Sequence, residues 1–185
     1  MTVKRVKDVK VPRVFMHKIA DIRGGVSVCV TELGSDFLPE GTPLSAPVDG
    51  ICHVVKVGSA VAAAAATDKA VKVAKGHQFK AGDAVMASEG GAAAKVSSID
   101  SSAKGYDTLA LSAAIGAVAV GGAVVEAKAA GDKGELKYVP LALSGTGKPV
   151  VQGDNLDVDA WLIGVTKGNA LPEFVASHLP GIINY

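Results

Sequence analysis

Short runs of alternating apolar and polar residues recur along this chain, broken by glycine, proline and aspartate. Val26, Val28 and Val30 alternate with Ser27, Cys29 and Thr31, the period of a strand with one buried face. Further strands are predicted at 51–57, 70–74, 84–87, 94–99, 108–111, 136–143 and 160–165. Between them lie turn signals: Leu38-Pro39-Glu40-Gly41-Thr42-Pro43-Leu44, Asp49-Gly50, Gly90-Gly91 and the Gly/Lys linker at 129–134. Residues 60–67 read as a helical turn or a loop of small residues. A 3.6-residue spacing appears near the end, where Leu171, Phe174, Val175 and Leu179 follow one another, with Pro172 early and Pro180-Gly181 as a stop. That predicts a short C-terminal helix. The tail Ile182-Ile183-Asn184-Tyr185 is too apolar to stand in water, so it is expected to pack on the core or on a neighbouring subunit.

One pattern returns. AKGHQFKAGDAVMA, from Ala74 to Ala87, is echoed by AIGAVAVGGAVVEA, from Ala114 to Ala127. Gly76 aligns with Gly116, Gly82 with Gly122, Val85 with Val125 and Ala87 with Ala127. Two turn-centred units of this type predict a mainly β protein: a small β-barrel or sandwich-like body with an extended N-terminal arm and the short C-terminal helix. The expected division is residues 1–35 as the arm and 36–185 as the body.

Composition sharpens this picture. Of 185 residues, 49% are hydrophobic but only 4% aromatic, so the core is built mostly from Ala and Val. Small side chains bury little area each, and oligomerisation would supply the missing burial. The net charge of +1 argues against a general nucleic-acid binder. The charge is uneven, however. Lys4, Arg5, Lys7, Lys10, Arg13, Lys18 and Arg23 stand against Asp8 and Asp21 in the first 23 residues, a local +5 that leaves −4 elsewhere. In the first part of that segment Val alternates with Lys and Arg, and Pro12 opposes a helix. It reads as a solvated terminus or as an arm that orders on an acidic partner; the alternation favours the second, by strand addition. The seven basic residues are the candidate partner-binding set, and removing residues 1–23 is expected to leave the body folded. No apolar run reaches the roughly 18 residues of a membrane helix, and the charged start has no secretory pattern. A product of a reducing cytoplasm is expected.

Catalytic patterns are missing. Gly145-Thr146-Gly147-Lys148 lacks both the upstream glycine and the following hydroxyl of a phosphate loop, because Ala142 and Pro149 occupy those places. Ser144 has no nucleophile-elbow glycines around it. His17, His53, His77 and His178 are scattered. Cys29 and Cys52 cannot make a zinc site alone, and His53 points away from Cys52 on a strand. His77 is expected to hydrogen-bond loop backbone. Asp154-Asn155-Leu156-Asp157 lacks the central glycine and terminal glutamate of a calcium loop. Trp161 reads as a core anchor. No catalytic residue, metal site or cofactor is therefore assigned.

The body resembles the head fibre and capsid decoration proteins of tailed bacteriophages, particularly those of crAss-like and other Bacteroides phages. The residues carrying this are Leu38-Pro39-Glu40-Gly41-Thr42-Pro43-Leu44, Asp49-Gly50, His53-Val54-Val55-Lys56 and the run from Val73 to Asp83. Ile99-Asp100, Tyr106-Asp107-Thr108-Leu109, the run from Val158 to Val165 and Leu171-Pro172 complete it, over roughly 36–185. The resemblance implies a non-enzymatic virion protein on the capsid exterior, made in the bacterial host cytoplasm. It further implies a homotrimer whose partner is the major capsid protein, with a host surface glycan as a further ligand and neither nucleic acid nor membrane bound. The alternative is a small β-rich glycan-binding module or glycan hydrolase.

Overall fold

The computed structural model describes residues 13–169 and 171–185. Strand makes up 43% of the described residues and helix 2%, with several antiparallel sheets, so the class is mainly β. Lys4, Arg5, Lys7 and Lys10 lie outside the described residues.

The strands sort into two packing centres. The first half of the chain gives β1 (Phe15–Asp21), β2 (Val26–Val28), β3 (Phe37–Leu38), β4 (Pro43–Ser45) and β5 (Ile51–Cys52). Next come β6 (Val57–Ser59), β7 (Ala70–Ala74), β8 (Ala84–Met86), β9 (Ala93–Asp100), β10 (Tyr106–Leu111) and β11 (Ala123–Ala127). The last part supplies β12 (Pro140–Ser144), β13 (Lys148–Pro149), β14 (Leu156–Val158), β15 (Ala160–Thr166), α1 (Glu173–Ala176) and β16 (Ile182–Asn184).

Strands β6 to β11 form one six-stranded sheet in the order β6-β11-β8-β9-β10-β7. An antiparallel bridge, Ala60↔Val73, joins residues next to the two ends of that order. Its core gathers Phe79, Val71, Val73, Val85, Val96, Leu109 and Val124. The flanking segments build the second centre from the sheets β1-β15-β12-β4 and β14-β2-β5, with β16 beside β15. Val28, Val30, Leu38, Leu44, Val54 and Val158 pack inside it. The chain crosses from one centre to the other at residues 55–57 and returns after β11. A third cluster of Val55, Met86, Val125, Leu136 and Val175 fills the junction, and Val175 of α1 is fully buried there.

The repeated turn explains how a core of small residues keeps its register. Asp83 N–H donates to Lys80 O at 3.2 Å, and Gly122 N–H donates to Ala119 O at 2.9 Å. Each four-residue turn needs a positive φ at its third position, and Gly82 (+98°) and Gly121 (+78°) provide it. The structural counterpart of Gly82 is therefore Gly121, not Gly122. After the turn the two units match at 39 residues, which places Val85 with Val124 in one core. Leu38 and Gly41 (φ +80°) repeat the arrangement in the other centre.

Several predicted strands change at their ends. The expected strand at 51–57 divides into β5 and β6, because Leu44↔Val54 bridging carries residues 53–55 along β4. Of 136–143 only the end is strand. The segment expected as an arm is woven into the body from Phe15 onward: β1 pairs along β15 from Phe15↔Thr166 to Asp21↔Trp161. Its core residue Phe15 packs with Leu143 and Leu179, which holds the strand down. The apolar tail packs on the same sheet, with β16 parallel to β15.

Phe79 is the largest apolar side chain in the six-stranded core and is 2% exposed. Phe79→Ala should lower the unfolding free energy by about 3–5 kcal/mol, read from the urea midpoint at unchanged m-value. A loss under about 1 kcal/mol would show that the ring does not organise this core.

Candidate functional site

The sheet containing β1, β15 and β16 carries the densest group of exposed large apolar side chains. Met16, Ile19, Ile163, Ile183 and Tyr185 are all exposed, Ile19 at 59% and Ile183 at 63%. The register between β1 and β15 slips around Met16 and Ile19. Such bulges turn side chains away from the ladder. Ile163 lies opposite Ala20, and Ile183 lies beside Val165. Among the described residues, β1 is paired along one edge only.

The basic residues within the described chain behave differently from one another. Arg13 and Arg23 are exposed. Lys18 turns inward: its Nζ donates to Gly145 O, sits 3.9 Å from both Glu40 and Asp159, and lies over the Phe15 and Trp161 rings at 5.4 and 5.3 Å. It fastens β1 to the body. Trp161 packs partly buried in the same cluster and donates its indole N–H to Asp159 Oδ2 at 3.2 Å.

A second polar group caps the β7–β10 end of the six-stranded sheet. Phe79 N–H donates to His77 Nδ1 at 3.2 Å, the backbone bond expected of this histidine. That fixes the proton of the neutral ring on Nε2, which faces Asp107 Oδ2 at 3.0 Å. Nε2 has no aligned hydrogen bond, so the contact with Asp107 is electrostatic rather than directional. Lys75 holds the other Asp107 oxygen. Burial pushes the His77 pKa below the ordinary 6.5, although Asp107 opposes this.

The third group was invisible in the sequence. Lys56 is 1% exposed, and its Nζ lies 2.7 Å from Asp83 Oδ2 and 3.4 Å from Glu126 Oε1. Lys137 Nζ reaches the same Glu126 oxygen at 2.9 Å and stands 3.7 Å from Glu32 Oε1. Glu32 Oε1 also accepts from Tyr138 O–H at 2.7 Å, and Glu32 Oε2 is 3.0 Å from His53 Nδ1. The His53 and Tyr138 rings stack at 4.3 Å. Charges therefore alternate in sign from Asp83 through Lys56, Glu126 and Lys137 to Glu32, along the junction between the two packing centres.

The pKa directions within this chain of charges conflict. Burial pushes the Glu126 carboxyl up despite two ammonium neighbours. Lys137 also shifts up: burial, the largest single influence, lowers it, but the bond to Glu126 and the charges of Glu126 and Glu32 together outweigh that. The first shift weakens the ion pair and the second strengthens it. Geometry decides: two ammonium groups converge on one Glu126 oxygen, an arrangement only a carboxylate attracts. At the other end, hydrogen bonds from Tyr138 and His53 outweigh burial and hold Glu32 below its ordinary value. Burial and the bond to Glu32 push Tyr138 up to about 12.

Cys29 lies beside this group, and Cys29, Glu32 and His53 place their ligand atoms within 4.8 Å of one another. Cys52, in contrast, is buried in the core. No helix among the described residues is long and apolar enough to cross a membrane. Comparison with protein-family models, curated proteins and solved structures finds no match.

Two outcomes follow. Lys56→Met leaves the buried Glu126 and the half-buried Asp83 each short of a partner and should cost about 3–5 kcal/mol; adding Glu126→Gln should restore part of that loss in a double-mutant cycle. For His77, a depressed folded pKa means the native state resists protonation. Stability should therefore be lost as pH falls from the unfolded value of 6.5 toward the folded value. Thermal melts between pH 7.5 and about pH 5 should show this drop in the wild type and a smaller one in His77→Asn. Equal slopes would remove His77 from the account.

Proposed function

We propose that this chain is a structural, non-catalytic virion protein: a head fibre or decoration protein held on the outer surface of a phage capsid, with homotrimeric self-association. The observation that carries the reading is the cluster of Met16, Ile19, Ile163 and Ile183 on three neighbouring strands, with Tyr185 just after the last of them. Contiguous exposed apolar surface marks an association face, and a strand with one free edge can pair with another chain. The basic segment leads directly into β1, so an acidic shell surface and an apolar contact would be met together. Of the seven candidate basic residues, Arg13 and Arg23 are exposed and available to that partner, while Lys18 keeps β1 in place.

The finer architecture supports rigidity. We read the six-stranded sheet as a small closed barrel, because Val61 N–H donates to Lys72 O at 2.9 Å across the Ala60↔Val73 bridge. The resemblance in residues 36–185 supplies the capsid setting. The interior Lys18 contacts place the useful truncation at residue 12, ahead of β1, rather than at residue 23.

Ile19→Glu with Ile183→Glu alters two exposed side chains and should leave the fold intact. Light scattering at micromolar concentration should show an oligomer for the wild type and a monomer for the double variant, and co-sedimentation with phage capsids should fall with it. A chain lacking residues 1–12 should stay folded by circular dichroism and lose capsid binding. A monomeric wild type that ignores capsids would end this reading.

A further inference from the structure

We propose that Cys29, Glu32 and His53 form a binding site for a thiophilic divalent transition metal, zinc foremost. This site is separate from the apolar face and does not depend on its role.

Three local features build it. β2 runs parallel to β5 with Val28 beside Cys52, and Cys29 N–H donates to Cys52 O at 2.9 Å. That pairing brings Cys29 next to His53. Leu33 N–H then donates to Val30 O at 3.0 Å, closing a turn that returns Glu32 over the same place. His53 is the residue after Cys52, so its side chain leaves the core face and meets Glu32, with Nδ1 and Oε2 3.0 Å apart. The third donor, Cys29 Sγ, is half-buried and within 4.8 Å of both.

The donor chemistry selects the metal. Thiolate, imidazole and carboxylate together suit zinc or cobalt, whereas calcium and magnesium take oxygen donors. Zinc bonds of about 2.0–2.3 Å hold such donors roughly 3.3–3.8 Å apart, so the 3.0 Å Glu32–His53 pair opens slightly while Cys29 Sγ, within 4.8 Å of both, draws in. Three protein ligands leave a fourth position for water.

The surroundings resemble what orients metal ligands elsewhere. Tyr138 O–H holds the other Glu32 oxygen at 2.7 Å and stacks on the His53 ring at 4.3 Å and 11°. Lys137 stands 3.7 Å from the same oxygen. Outer contacts of this type fix ligand rotamers before the ion arrives. On binding, Cys29 loses its thiol proton to solvent, the proton that His53 Nδ1 shares with Glu32 is exchanged through solvent for one on Nε2, and Nδ1 and the freed Glu32 carboxylate oxygen turn to the metal. The metal keeps its oxidation state.

Full-length protein stripped with chelator should take up one Co²⁺ per chain, with a thiolate-to-cobalt charge-transfer band and the visible bands of a tetrahedral site. Zn²⁺ should displace it and raise the melting temperature. Cys29→Ser should abolish the charge-transfer band, and Cys52→Ser should keep it. Tyr138→Phe should weaken affinity by about 10–100-fold without loss of the band. Circular dichroism confirms that each variant is folded. Failure to bind Co²⁺, or a charge-transfer band that survives Cys29→Ser, overturns the proposal and leaves Glu32, His53 and Tyr138 as a hydrogen-bonded cluster only.

Discussion

Burying Lys56 is the constraint around which this molecule is arranged. An ammonium group taken out of water costs several kcal/mol unless partners surround it. Here Asp83 comes from the turn before β8 and Glu126 from β11, while Lys56 sits where the chain passes between its two packing centres. The partners lie on different strands, so the pairing forms only when β6, β11 and β8 are in register. Glu126 N–H also donates to Lys56 O at 3.0 Å, which ties backbone and side chain at one point. A nonspecific apolar junction could tolerate slippage; this one cannot.

That specificity offsets what the core lacks. Alanine and valine fill both centres, and such side chains pack in many nearly equivalent ways. Directional contacts narrow the choice. The repeated turn does so locally, because Gly82 and Gly121 each set the entry to a strand whose first valines are fully buried. The alternating charges do so over distance. Lys137 then extends the chain of contacts to Glu32, so that strands remote in sequence share one electrostatic arrangement.

What could be read in the sequence was local. The Gly-Asp and Asp-Gly turns, the 70–74 and 160–165 strands, the terminal helix and the inward packing of Ile182 all follow from residues within a few positions of one another. The backbone bond to His77 was legible for the same reason. The site chemistry was not. Lys56, Glu126 and Glu32 read as ordinary charged residues, and nothing in their neighbourhoods announces partners on other strands. Cys29 and Glu32 stand three apart, a weak ligand spacing, and His53 joins them only through the parallel pairing of β2 with β5. The alternation over 26–31 carries the predicted strand past Cys29, whereas β2 ends at Val28 and the chain turns from Val30 to Leu33, which returns Glu32. The inclusion of 15–21 in the body was also unreadable, since its partner strand lies far along the chain.

The order of the segments has a kinetic meaning. The six-stranded unit is contiguous, whereas its companion is sewn from two distant stretches, with Phe15 held against Thr166. Long loops must close before such pairings yield any return. During synthesis the inserted unit can therefore assemble on its own while the opening stretch waits, unpaired, for β15 to emerge. Nascent chains of this protein would depend on chaperones most during that interval, and the waiting strand is the one whose apolar side chains stay uncovered afterwards.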